Sequence, residues 1–196
     1  MSTYLKPAVM LLLLMTLLTG AIYPALVTLI AQTAFPKQAN GSLIQNNQGQ
    51  TIGSELIGQN FADAKYFWSR PSATAPFPYH AAASGGSNLG PTNPALLDAV
   101  KQRIAVLQDK DPSHQAKVPI DLVTASASGL DPHISIATAE YQIPRVAKAR
   151  GLGEAEIRQL LKTHTRQRQW RLFGEPTVNV LGLNLDLDSL AAKHHE

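Results

Sequence analysis

The sequence predicts a mixed α+β domain anchored by one N-terminal transmembrane helix. Three observations carry that reading. Residues 7–36 contain no charged side chain. All 14 acidic residues lie beyond Lys37. The polar remainder mixes turn-punctuated, strand-like stretches with helices that carry their own start and stop signals. The expected organisation is a short cytoplasmic N-terminus (1–6), a membrane helix (7–35) and an extracytoplasmic domain (36–196).

Composition narrows the function classes. The chain has 196 residues, a net charge of +3, no cysteine and only 16% charged residues, against roughly 25% in a soluble domain. That excludes a disordered chain, a disulfide scaffold, a cysteine-ligated zinc site and an iron–sulfur protein. Seventeen basic against 14 acidic residues is too small an excess to argue for nucleic acid.

The N-terminal segment comes first. Residues 8–35 hold 21 apolar side chains, whereas about 20 apolar residues suffice to cross a bilayer. Gly20 and Pro24 are placed to kink the span. Pro24 has no N–H to give the carbonyl of Gly20, so that carbonyl needs another partner in lipid, such as a neighbouring helix. A cleaved signal peptide is the competing reading. Its apolar core would be about twice the usual length, and Gln32 would sit badly before a cut at Ala34. Lys6 and the α-amino group flank one side and Lys37 the other, so charge bias is slight. The long C-terminal domain favours an inside N-terminus and an outside domain.

Residues 40–66 read as short strands between turns at Asn40-Gly41 and Asn47-Gln48-Gly49. Six aromatics then crowd into 19 residues: Phe61, Tyr66, Phe67, Trp68, Phe77 and Tyr79. Pro71, Pro76 and Pro78 break regular structure there. The rings either plug a small core or form a docking surface with Trp68 and Arg70 as anchors. Residues 81–94 form a small-residue loop in which Gly85, Gly86, Ser87 and Asn88 act as a turn or present N–H groups to an anion.

Asn93 is a good helix cap and Pro94 suits the first helical position. Leu97, Val100, Ile104 and Leu107 share one face, and Asp111-Pro112 ends the helix. Residues 118–135 mix strand and loop signals. A helix starts near Ser135, is kinked or divided by Pro144 and stops at Gly151. The next begins at Gly153, with Leu152 and Ile157 as a hydrophobic staple. Residues 177–181 look like a strand, and the leucine-alternating tail after residue 183 fits strand or short helix. Residues 145–171 hold eight basic and two acidic residues. That stretch is either a solvated face or a basic helical face for anionic lipid, phosphate or an acidic partner.

Tests for self-sufficient chemistry fail. Residues 53–60 have P-loop glycine spacing, but Gln59 and Asn60 stand where lysine and a hydroxyl are needed. Residues 125–129 lack the first glycine of a hydrolase elbow. Asp131-Pro132 initiates a turn in which His133 bonds locally. The six histidines form no HExxH motif, so no metal and no catalytic residue is expected.

Several segments together resemble the KdpC family, one of the subunit types of the bacterial Kdp potassium-transporting ATPase. They are NGSLI (40–44), GSELIGQNF (53–61), YFWSRPSAT (66–74), ASGGSNLGPTNP (83–94), VPIDLVTASASGLDPHIS (118–135) and YQIPRVAKARGL (141–152), with Tyr23-Pro24 in the span. The resemblance implies a non-catalytic, single-span component of the inner membrane. Its implied partners are a channel-like potassium-conducting subunit, a P-type ATP-hydrolysing subunit and a small hydrophobic subunit. It implies a role in assembly and a catalytic-chaperone role raising the pump's ATP affinity, with Gln142 as the candidate nucleotide contact. No firmly bound cofactor is expected; ATP is reached through the complex. An outside Gln142 conflicts with cytoplasmic ATP, so indirect coupling is the preferred expectation. A direct nucleotide-binding module and a membrane-tethered small-ligand domain are the alternatives. The docking candidates are Trp68, Arg70, Pro71 and His133.

Overall fold

A computed structural model describes residues 2–194 other than Asn47 and Ser113; the turn reading at Asn47 therefore lies outside the described residues. The chain divides into two compact units, one ending at Ser54 and one beginning at Glu55.

The first unit opens with a helix of 32 residues, Thr3–Ala34, long and apolar enough to cross a membrane. It comprises α1 (Ser2–Leu17), a π-helical turn (Leu18–Ile22) and α2 (Tyr23–Ala34). The expected irregularity at Gly20 and Pro24 is that π turn. Tyr23 donates its N–H to Leu18, one residue further back than in an α-helix, just where Pro24 withdraws a donor. Short α3 (Pro36–Ala39) leads to a hairpin of β1 (Leu43–Gln45) and β2 (Thr51–Ser54).

The second unit contains α4 (Pro94–Lys110), α5 (Ile136–Arg150), α6 (Glu154–Thr163) and α7 (Val180–His194). Its antiparallel sheet has the order β3-β5-β4, from His133–Ser135, Thr177–Asn179 and Thr165–Arg166. Local chemistry sets most boundaries. Asn93 caps α4 by accepting from Ala95, and Ser135 caps α5 by accepting from Thr138. Gly151 ends α5 in the left-handed region, at φ 66°.

Two expectations change and two open alternatives are narrowed. The strand at 177 stops at Asn179, because the Asn179 side chain accepts from Gly182 and starts α7. The leucine-alternating tail is therefore helix, with Val180, Leu183, Asn184 and Leu187 on its buried face. Pro144 lies within α5, which runs through it undivided. Leu97, expected on the buried face of α4, is half exposed; the packed stripe begins at Val100.

Two apolar clusters form. The larger joins α5, α6, α7 and the sheet, including Ile143, Ile157, Val178 and Leu187. The smaller packs Leu107, Leu122 and Val123 with Val100, Ile104, Trp68 and Tyr141. Phe67 is fully buried in the first cluster, and its neighbour Trp68 packs against the second. Two adjacent rings thus join two cores.

Candidate functional site

Five consecutive carbonyls, from Ala64 to Trp68, are bonded by side chains rather than by a neighbouring strand. Arg145 donates to Ala64 at 2.6 Å and to Tyr66 at 3.0 Å. Arg150 donates to Lys65 at 2.6 Å. Asn184 brackets Phe67, donating to its carbonyl at 2.9 Å and accepting from its N–H at 2.9 Å. Gln142 brackets Trp68 the same way, at 3.1 and 2.8 Å. A primary amide carries one donor edge and one acceptor, the same pair a strand offers. Gln142 and Asn184 thus replace a β partner for a segment that has none.

The clamp closes on itself. Arg145 also donates to the Gln142 carbonyl oxygen at 2.7 Å, and its guanidinium lies 4.3 Å from the Trp68 ring centroid. Burial pushes the Arg145 guanidinium down to about 10, which leaves it charged at neutral pH. Arg150 pairs with Asp188 at 2.8 Å, and Tyr66 donates to the other oxygen of Asp188 at 3.0 Å. The basic stretch 145–171 is therefore not one face. Arg145 and Arg150 are buried clamps, Arg158 pairs with Glu140 and Glu154, and Arg168 pairs with Glu175.

Beyond Trp68 the segment borders a cavity of about 700 Å³. Trp68, Arg70, Pro71 and Tyr79 line one side; Arg103, Val106 and Lys110 of α4 line the other. Arg103 donates to the Val123 carbonyl at 2.7 Å. Arg70 reaches Asp131 at 3.4 Å. Asp131 in turn accepts from the His133 N–H at 3.0 Å, with the His133 ring nitrogen 3.5 Å away. Burial alone raises the Asp131 carboxyl, but the hydrogen bonds from His133 and the charges of His133 and Arg70 outweigh it and hold it below its ordinary value.

Trp68, Arg70 and Pro71 thus come together along one cavity. His133 lies outside it, on β3, joined to Arg70 through Asp131. Gln142 lies behind Trp68 with 1% exposure; its amide oxygen and nitrogen, the atoms a nucleotide would contact, are both engaged by the clamp. Gly20 and Pro24 belong to the other unit.

The glycine motifs are packing devices. A Cβ on Gly58, the second glycine of the P-loop-like run, would stand 2.9 Å from the Asp131 carbonyl. One on Gly86 would stand 2.9 Å from that of Ala127. Gly85 donates its N–H to Ser128 at 2.9 Å, so that amide is not free for an anion. Among the described residues, no group of three His, Asp or Glu side chains is placed to hold a metal ion.

Sequence reasoning missed Asn184, Asn179, Arg145, Arg150 and Asp188. One signal was available: an asparagine on the apolar face of a leucine-rich helix must find a buried partner.

A family model described as KdpC, the c chain of the K+-transporting ATPase, matches residues 5–189. A protein of Sorangium cellulosum is 60% identical over 188 residues, covering 96% of this chain and 98% of its own. Proteins of Dechloromonas aromatica and Methylococcus capsulatus are each 58% identical, covering 97% of this chain and 100% of their own. All three are named potassium-transporting ATPase KdpC subunit.

Proposed function

The chain belongs to the KdpC family of K+-transporting ATPase c chains, and on that premise we propose that it anchors and stabilises the assembled pump. It is an accessory subunit rather than the catalytic one. Its helix Thr3–Ala34 is the single span, with the N-terminus inside and the domain outside. The domain docks on the channel-like potassium-conducting subunit through the cavity beside Trp68, and the ATP-hydrolysing and small hydrophobic subunits complete the complex.

One observation supports docking there. Val106 stands 52% exposed on the wall opposite Trp68, Arg70 and Pro71, and the segment carrying those three is held rigid by the clamp behind it. A prealigned aromatic and arginine pair loses little freedom on binding. Replacing Val106 by Asp and Lys110 by Glu leaves the clamp untouched. The double variant should fold normally but lose co-purification with the potassium-conducting subunit and potassium-stimulated ATPase activity. Retention of both refutes docking at this cavity.

A second reading, a nucleotide site, is favoured by Arg70, Arg103 and Lys110 beside aromatic rings. The burial of Gln142 argues for indirect coupling instead, in which assembly shifts the pump's conformational populations toward higher ATP affinity. The sequence has no cysteine, so Lys110→Cys gives a unique thiol. Labelling of intact cells by an impermeant reagent supports the outside topology and rules out cytoplasmic ATP at this cavity; labelling only after permeabilisation reverses both conclusions.

A further inference from the structure

Residues 166–175, from the last residue of β4 to just before β5, are ten consecutive exposed residues. Within them Trp170 is 81%, Leu172 69% and Phe173 56% exposed. This is not loose chain. Gln169 and Phe173 bond each other in both directions, and Arg171 and Leu172 donate back to Arg168 and Gln169. The Trp170 and Phe173 rings meet edge to face, 6.0 Å apart.

The turn residues contradict the turn. Leu172 closes onto Gln169, and the two residues between them, Trp170 and Arg171, have φ of 52° and 63°. Two successive positive φ values are the property of turns normally built from Asn-Gly. An indole and a guanidinium hold these positions at a conformational penalty. What the tip touches, rather than how it turns, accounts for its residues.

Charge and tether say what it touches. Arg166, Arg168 and Arg171 stand in the same ten-residue stretch as the apolar tip; Arg168 pairs with Glu175, while Arg166 and Arg171 have no acidic partner among the described residues. Trp, Leu and Phe beside unpaired arginines match the boundary of an anionic bilayer, where amphipathic rings settle at headgroup depth and cations meet lipid phosphates. The domain is joined in one chain to the apolar helix, so a bilayer that helix spans is present at high local concentration. We infer that the Trp170–Leu172–Phe173 tip is a second membrane contact, inserting at headgroup depth into the bilayer the chain spans. This rests on reading Thr3–Ala34 as a span.

The test uses the full chain reconstituted into vesicles of phosphatidylcholine with or without phosphatidylglycerol, with lipids brominated high on the acyl chain as quenchers. The comparison variant is Trp170→Asn with Arg171→Gly. It restores the residues the turn prefers, so it should unfold at higher denaturant while losing lipid contact; a merely structural tip gives no such opposition. In the parent, Trp170 emission, taken as the difference between the two proteins, should be blue-shifted and quenched. Replacing Arg166 and Arg171 by Gln should lower the docked-to-free ratio about fivefold per arginine in phosphatidylglycerol vesicles and leave it unchanged in phosphatidylcholine alone. Release of the chain by alkaline carbonate overturns the span and the inference with it. An embedded chain whose Trp170 stays unquenched overturns the tip contact alone. Shielding of Trp170 from aqueous acrylamide that appears only on adding the other pump subunits assigns the tip to a protein interface and also overturns it.

Discussion

Replacing Gln142 by alanine separates a clamp from a nucleotide contact. The substitution deletes three hydrogen bonds at once: from the Trp68 N–H at 2.8 Å, to the Trp68 carbonyl at 3.1 Å and from Arg145 at 2.7 Å. Alanine satisfies none of them, and the site is 1% exposed at Gln142 and 5% at Arg145. Each buried polar group left unmatched costs about 1–3 kcal/mol. The two backbone groups of Trp68 therefore account for roughly 2–6 kcal/mol, before any cavity penalty. Total stabilities are about 5–15 kcal/mol, so much of the domain's margin is at stake. With urea slopes of about 1–3 kcal/mol/M, the unfolding midpoint should fall by at least about 0.7 M. Gln142→Glu keeps the acceptor for Trp68 and Arg145 and loses only the donor to the Trp68 carbonyl, so it should fall less. The assay is urea unfolding of the full chain, followed by circular dichroism. An unchanged midpoint for Gln142→Ala, together with a loss of ATP affinity in the assembled pump, would refute the clamp and restore direct nucleotide contact.

Other outcomes follow from the same geometry. Asn184→Ala removes both bonds to Phe67 and should destabilise by roughly 2–6 kcal/mol; combined with Gln142→Ala the loss should be less than additive, because both hold one segment, as a double-mutant cycle will read. The Asp131 carboxyl lies below its ordinary value in the fold, so its contribution is present above the unfolded carboxylate pKa and disappears as pH falls through the folded one. Asp131→Asn should therefore flatten the acid limb of the stability–pH profile and leave no Asp131-dependent gain between acid and neutral pH. Gly58→Ala forces a methyl against the Asp131 carbonyl and should cost about 1–3 kcal/mol in chemical unfolding; a neutral effect shows that the backbone there yields.

Most of the fold was legible because most of its signals are local. Asn93 with Pro94, Ser135, and Gly151 act on backbone groups within four residues of themselves. The charge-free run needs no partner to be read, and Pro24 removes a donor wherever it stands. Those features set the N-terminal helix, α4 and α5. The tail stayed open between strand and short helix for the opposite reason. Residues 183–187 alternate apolar and polar like a strand, yet the Asn179 cap and the burial of Val180, Leu183, Asn184 and Leu187 make them part of α7. Alternation describes a pattern, whereas the direction from which a core covers it belongs to the tertiary structure.

The site divides along the same line. Read alone, the residues show an apolar stretch long enough to cross a membrane ahead of a weakly charged domain, place Trp68, Arg70 and Pro71 in an aromatic, proline-broken stretch, and carry no self-sufficient catalytic motif. What Gln142 bonds appears only in three dimensions. Its partner Trp68 lies 74 residues away, and Asn184 meets Phe67 across 117. A buried backbone outside helix and strand must have its carbonyls bonded from somewhere, and which side chains reach them depends on where helices α5 and α7 come to rest.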